Sequence, residues 1–418
     1  MSHKSVLYHK AKDLYDARQY QDALQRSLEL LEMAQSTDDN YYQALALQIV
    51  GHSQEHLGEL RASLGSFERI LALPQSPDKE TAVRGWAYNG IGVAYHRMGR
   101  QQEAMTYARK DLEIKEQLGD KSGQSKAHCD LGNAYREMRQ FEAAIECHQK
   151  HLDIAVELDD TCEQGSAYGN LACTYREMRQ YDKVIKYANQ SLEIAQQLHD
   201  RPGEGRAYCN LGDAYRRLGQ YRAAIQCHQA KLGISTELND KPGQEIDLLD
   251  LGIDYGMRDQ YKKAVECLKK SLYIAKQLGN KAGQGRIYKN LGYLYKRVRN
   301  FQRAIKNHQK HLDVAQQLNN EAGQRCALKN LDRVYSLMGQ YDRVIEIYQK
   351  RLNIAQRLND RRAQGDAFCS IGLAYQKMGR LDMAVKYAKK HLDIACQTGD
   401  EREQEHAYVN AERAYTLG

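Results

Sequence analysis

Residues 210–221 read NLGDAYRRLGQY, and close copies of this phrase return along the chain at a step of 40 residues. Tyr95, Tyr135, Tyr175, Tyr215, Tyr255, Tyr295, Tyr335, Tyr375 and Tyr415 hold that step, as do Leu131, Leu171, Leu211, Leu251, Leu291, Leu331 and Ile371. A glycine column follows the leucines (Gly132, Gly212, Gly252, Gly292, Gly372), with Ala172 and Asp332 as substitutes. Unrelated domains would not keep one register over such a length, so the chain is a repeat array before it is anything else.

Each unit reads as two helices. Over 126–138 the spacing of His128, Leu131 and Tyr135 puts them on one helical face. A break at Arg139-Gln140 follows, and other copies hold Gly99, Gly219, Gly339 or Gly379 there, which permits a left-handed turn. Phe141 opens a second helix with Ala144, Ile145, His148, Leu152, Ala155 and Leu158 on one side. Asp160, Asp200 and Asp240 precede the next leading helix, where an aspartate can cap it. A mid-helix glycine costs roughly 1 kcal/mol against alanine, so its recurrence predicts close helix approach where a Cβ would clash. The expected fold is an all-α solenoid of antiparallel helix pairs with one continuous core.

Composition agrees with an elongated, polar-surfaced array. The 418 residues include only 4 prolines and are 28% charged, with a mean hydropathy of -0.75. No apolar run reaches the length of a membrane span. The first residues, MSHKSVLYHKAKDLY, lack the apolar centre of a secretory signal. No glycine follows Met1 and no cysteine lies near Gly418, so the usual lipid anchors are not signalled. The 10 cysteines form no CxxC pair; several fall in columns (Cys129, Cys209, Cys369; Cys147, Cys227, Cys267) as small, half-buried helix residues would. Free thiols fit a reducing compartment, and the expected location is the cytoplasm.

The pattern Tyr208, Leu211-Gly212, Tyr215, Tyr221, Ala224 and Leu232 resembles the tetratricopeptide repeat, and the resemblance covers nearly the whole chain. It implies a right-handed superhelical array whose leading helices line a trough. The usual unit has about 34 residues; here the extra length is placed at the end of the second helix (SLEIAQQLHD, 191–200). The long phrase is similar to the Pins/LGN type of cell-polarity adaptor. Gα binding by that type uses C-terminal motifs that do not occur before Gly418, so that function does not carry over. The expected organisation is two divergent hairpins over 1–79, eight regular repeats over 80–399 and a capping helix over 400–418. The linker LPQSPDK shifts the register by one residue, from Gly51 to Gly92, and is read as a bend.

The resemblance places five inward columns, those of Lys126, Cys129, Asn133, Arg136 and Glu137. Their cations are Arg97, Lys126, Arg136, Arg176, Arg206, Arg216, Arg217, Arg286, Lys289, Lys296, Arg297, Lys329, Arg333, Lys377 and Arg413. Their acids are Glu137, Glu177, Asp213 and Asp366, leaving +11 on the inner face against +7 for the chain. Arginines gathered in a groove suit carboxylates, which they grip in pairs of hydrogen bonds. In α-helical register, KPGQEIDLLDLGIDYGMRDQY (241–261) breaks the pattern with Ile246, Leu249, Ile253, Gly256 and Met257 inward. This predicts an apolar pocket within a basic trough. The expected ligand is an acidic, extended or helical segment of another protein with an apolar anchor.

Other chemistry is weaker. The His148, His228, His308 column, with His151 and His311, offers no complete metal set and reads as packing or surface. GNKAGQGR (279–286) lacks the lysine-serine ending of a phosphate loop, and its sister DRPGEGR (200–206) marks it as a repeat connector. No Ser-His-Asp or Cys-His arrangement stands out, so neither an enzyme nor a cofactor is expected. RNA binding by a helical-repeat protein is the alternative, with Trp86 and Tyr293 as thin aromatic support. Self-association through ends or edges stays open.

Overall fold

The computed structural model describes residues 2–74, 77–399 and 401–416, with side chains described for 2–74, 81–399, 401–409 and 412. The bend expected at LPQSPDK centres on Gln75 and Ser76, outside the described residues, and Arg413 lies outside the described side chains.

Every described element is a helix, and the chain forms two compact units, Met1–Gln220 and Tyr221–Gly418. The first holds α1 (His3–Asp16), α2 (Tyr20–Ser36), α3 (Asn40–His56), α4 (Leu60–Ala72), α5 (Pro77–Arg97), α6 (Gln101–Gln117), α7 (Lys121–Glu137), α8 (Phe141–Glu157), α9 (Thr161–Glu177), α10 (Tyr181–Gln197) and α11 (Arg201–Arg217). The second holds α12 (Tyr221–Glu237), α13 (Lys241–Met257), α14 (Tyr261–Gln277), α15 (Lys281–Arg297), α16 (Phe301–Gln317), α17 (Glu321–Leu337), α18 (Tyr341–Arg357), α19 (Arg361–Lys377), α20 (Leu381–Thr398) and α21 (Glu401–Thr416).

From α7 to α19 each helix has 17 residues. Three residues join each to the next, so within a unit consecutive helices fold back against each other. Leading helices start at Lys121, not Lys126, so the length of the long repeat is shared equally by both helices. The turn inside the hairpin always places one residue in the left-handed region: Gly99 (φ 75°), Arg139 (60°), Arg179 (60°), Asp259 (58°), Arg299 (57°), Gly339 (70°). Glycine adopts this without strain; arginine there is held by the helices on either side.

The expected caps form. Asp120 Oδ1 accepts from Gly123 N at 2.9 Å, Asp160 from Glu163 N at 3.0 Å, Asp240 from Gly243 N at 3.0 Å and Asp360 from Ala363 N at 3.0 Å. Asn280 and Asn320 do the same. Asp200 makes no such bond and sits beside Arg206 instead. A glutamine four residues later closes the junction from the other side. Gln124, Gln164, Gln244, Gln284, Gln364 and Gln404 each donate to a carbonyl near the end of the preceding helix, and the first five of those carbonyls also accept the backbone N–H five residues on.

The glycine column marks where the paired helix comes closest. A Cβ on Gly132 would lie 2.5 Å from the His148 ring, one on Gly252 2.6 Å from Leu268, and one on Gly292 would strike His308. The two substitutes in that column obey the same rule. Ala172 faces the small Ala188, both fully buried, and Asp332 accepts a hydrogen bond from Tyr348 Oη at 2.9 Å. The histidine column is therefore packing: His148, His228 and His308 are buried. Burial, aided by Arg136, pulls His148 down to about 3, and burial, aided by His311, pulls His308 to about 4.

Candidate functional site

In the first unit the inward columns of α7, α9 and α11 enclose a cavity of about 360 Å³, lined by Cys129, Asn133, Ser166, Gly169, Cys173, Arg206 and Asn210, among others, with α10 contributing Ser191 and Ile194. Asn133 and Arg206 thus meet at one site. The deeper arginines are partly satisfied by the chain itself. Arg136 Nε lies 4.0 Å from Glu177. Arg176 donates to Asn210 Oδ1 at 2.9 Å and lies 3.6 Å from Asp213, which also pairs with Arg216. Arg206 is open to solvent 3.4 Å from Asp200. Lys126 and Arg217 are exposed, with no ion pair among the described residues.

In the second unit the cations stand differently. Arg286 and Lys289 on α15, and Lys329 and Arg333 on α17, are exposed and make no ion pair among the described residues. Lys296 is half-buried, its Nζ 5.2 Å above the Tyr293 ring. Burial, and then repulsion from Arg333 and Arg297, hold that ammonium below its ordinary range. The smaller, repulsive part of that shift records cations close to Lys296. Arg297 is the exception, pairing with Asp259 at 2.9 Å and donating to Tyr261 Oη.

The apolar residues of α13 divide. Leu249 is 5% exposed and belongs to a core cluster with Leu268, Ile287, Leu291 and Leu294; Ile253 packs at its edge. Gly256 leaves no hole, because Leu294 Cδ2 lies 2.7 Å from where its Cβ would stand. The apolar surface open to a ligand is Ile246 (40% exposed) and Met257 on α13, Tyr293 on α15, Leu337 (63%) on α17 and Leu373 on α19. Apolar and cationic side chains therefore alternate over several leading helices. Leu337 and Leu373 occupy the same inward columns as the arginines, so the register that found the charges also held this signal. The acids could be placed as well: Asp213 and Arg216 are three apart on one helix. The Arg176–Asp213 contact, between separate helices, could not.

The cysteines are free thiols among the described residues. Burial pushes Cys129 up to about 12 and Cys147, Cys227 and Cys369 to about 11, which keeps them protonated and unreactive. One group could offer three metal donors within 4.8 Å, His391, Glu403 and His406. Its His391–Glu403 bond (3.2 Å) repeats the His151–Glu163 bond (2.9 Å), which joins α8 to α9. The pair is thereby a recurrent helix-to-helix tie. Among the described residues no helix is long and apolar enough to cross a membrane.

A family model for the tetratricopeptide repeat matches residues 123–197, 163–237, 244–317 and 323–397, more than half of the chain, and a second model of the same description matches 84–118. The chain belongs to the tetratricopeptide repeat family. No curated protein matches it. Among solved structures, this tetratricopeptide array is similar to a Rap protein complexed with competence and sporulation factor (16% identity, 85% of this chain and 98% of that one, TM-score 0.52). It is also similar to aspartyl phosphate phosphatase F from Bacillus subtilis (13%, 94% of each, TM-score 0.49) and to BtubC from P. vanneervenii (21%, 57% and 94%, TM-score 0.42). At these identities the likeness concerns the fold.

Proposed function

We propose that this tetratricopeptide array is a non-catalytic protein-interaction scaffold that binds an acidic segment carrying apolar side chains. The supporting observation is the face built by α13, α15, α17 and α19. Arg286, Lys289, Lys296, Lys329 and Arg333 make no ion pair among the described residues, and Ile246, Met257, Tyr293, Leu337 and Leu373 stand exposed on the same helices. Repulsion of Lys296 by Arg333 costs energy that an anionic ligand relieves, and each charge-assisted bond contributes roughly 1.5–3 kcal/mol. In the first unit Asn133, Arg206 and the cavity between α7, α9 and α11 supply a second, more polar stretch of the same kind. The 40-residue repeat and its phrase resemble the Pins/LGN type, and that resemblance supports reading the chain as an adaptor working in the cytoplasm.

A synthetic peptide alternating glutamate and leucine, and a homopolymeric RNA, separate the readings by titration across salt. The peptide should bind with an apolar component that survives high salt, while electrostatic RNA binding falls steeply. Lys296→Glu with Arg333→Glu should weaken the peptide by about tenfold or more. Ile246→Ser with Leu337→Ser should weaken it without changing the salt slope. Peptide affinity unmoved by both pairs of changes refutes this face as the site. RNA binding tighter than peptide, abolished by the charge reversals, replaces the protein ligand with nucleic acid.

A further inference from the structure

The packing rule of the array has a vacancy. Where Gly132, Gly252 and Gly292 leave room, His148, Leu268 and His308 fill it. Opposite Gly92 the equivalent position is Ala108, and a cavity of about 80 Å³ opens between α5, α6 and α7. Its apolar walls include Val93, Ala104, Ala108 and Ala134. Asp111 lines it at 2% exposure, with Oδ1 lacking any hydrogen-bond partner. Its Oδ2 accepts only a long 3.5 Å bond from Asn89. Asp130, also on the lining, is exposed to solvent. Lys115, the cation that most favours Asp111 as a carboxylate, has its Nζ 3.4 Å from Asp120. Burial pushes Asp111 up to about 6, so near neutral pH it is still mainly ionised. A buried carboxylate without a counter-charge is costly, and a ligand that supplies one recovers that cost.

We propose that this cavity binds an alkylammonium group, with its methylenes along the alanine and valine walls and its –NH₃⁺ on the carboxylates of Asp111 and Asp130. An ammonium on a thin, flexible stem suits a narrow apolar cleft better than the planar fork of a guanidinium. Its three donors match Asp111 Oδ1, Asp130 and the amide oxygen of Asn89 or Asn133. Two carboxylates exclude an anion. The other Gly–Ala vacancy, between Gly372 and Ala388, is only about 10 Å³ and has no carboxylate on its lining, so the acid belongs to this position and not to the vacancy as such.

Calorimetric titration of the full chain with n-butylammonium chloride, against 1-butanol at matched ionic strength, tests the site. The amine should bind and the alcohol should not. Asp111→Asn keeps the shape and removes the charge, and Ala108→Leu fills the space as Leu268 does in its own repeat. Each should weaken butylammonium by about tenfold or more. No heat with the amine, equal binding of the alcohol, or unchanged binding in Ala108→Leu overturns the site. A parallel titration with N-acetyl-lysine methylamide identifies the source. Binding of both probes supports a lysine side chain presented by a partner, and binding of butylammonium alone supports a free small amine.

Discussion

At the scale of residues, the array is held by exchange pairs across each hairpin. A glycine admits histidine or leucine, an alanine faces an alanine, and an aspartate faces a tyrosine hydroxyl. Histidine in this role carries an acid liability. His148 and His308 ionise in the folded chain only near about pH 3 and about pH 4, well below the ordinary value. Below about pH 6.5 the unfolded chain takes up protons that the folded chain refuses. Stability is therefore lost as pH falls from there towards the folded values, by about 2 kcal/mol for each histidine at about pH 5. The double substitution His148→Leu with His308→Leu copies Leu268 and should remove that loss. Urea midpoints at about pH 7.5 and about pH 5 should lie closer together in the variant than in the parent, the rest of the gap belonging to groups such as His311, which burial also pulls down to about 4. Equal separation in both proteins would show that the acid sensitivity lies elsewhere.

At the scale of elements, α13 is the most unusual helix. Its exposed apolar residues come with a back side of buried acids: Glu245, Asp247 and Asp254 are each at most 1% exposed. His228 of α12 meets Asp254 at 2.6 Å, and Lys231 meets Asp247 at 2.7 Å. Asp254→Ala would strip a fully buried imidazole of this hydrogen-bond partner and should cost about 1–3 kcal/mol. Adding His228→Leu, again the residue of a sister repeat, should restore most of that loss in a chemical denaturation series. The repeat period, the left-handed turn and the caps were legible because each is a local rule of backbone geometry. The close approach at the glycines was legible too, since mid-helix glycine needs a reason. The acids of α13 were not, because their partners lie on neighbouring helices. Nor was the depth of Leu249. In its column Lys289 reaches water along a flexible stem, whereas leucine tucks against Ile287, Leu291 and Leu294. A column thus specifies direction, and side-chain chemistry decides whether the residue reaches a ligand.

At the scale of the whole chain, neighbouring helices supply nearly all support within each unit, so chemical reactivity should follow local burial. Cys162 and Cys396 are exposed, and the other free thiols are half-buried. Alkylation with iodoacetamide, followed by mass spectrometry, should modify these two well before Cys129, Cys147, Cys227 or Cys369. Early loss of the Cys129 thiol would mean that the first unit opens locally. The balance of charge is also uneven: Arg136, Arg176 and Arg216 of α7, α9 and α11 answer to acids of their own unit, while Arg286 of α15 and Arg333 of α17 make no ion pair among the described residues. This is why summing columns located a basic face but could not say which part of it is unsatisfied.

The exchange pairs also impose an order on the history of such a chain. At Gly92 and Ala108 either residue can still change: histidine can enter at 108 because the glycine leaves room, or alanine at 92 because the opposing side chain is short. Once one step is taken the other closes, since both bulky residues would claim the same volume. Duplicated repeats that began alike can therefore drift into separate lineages of hairpin, and reversal requires the larger partner to be given up first.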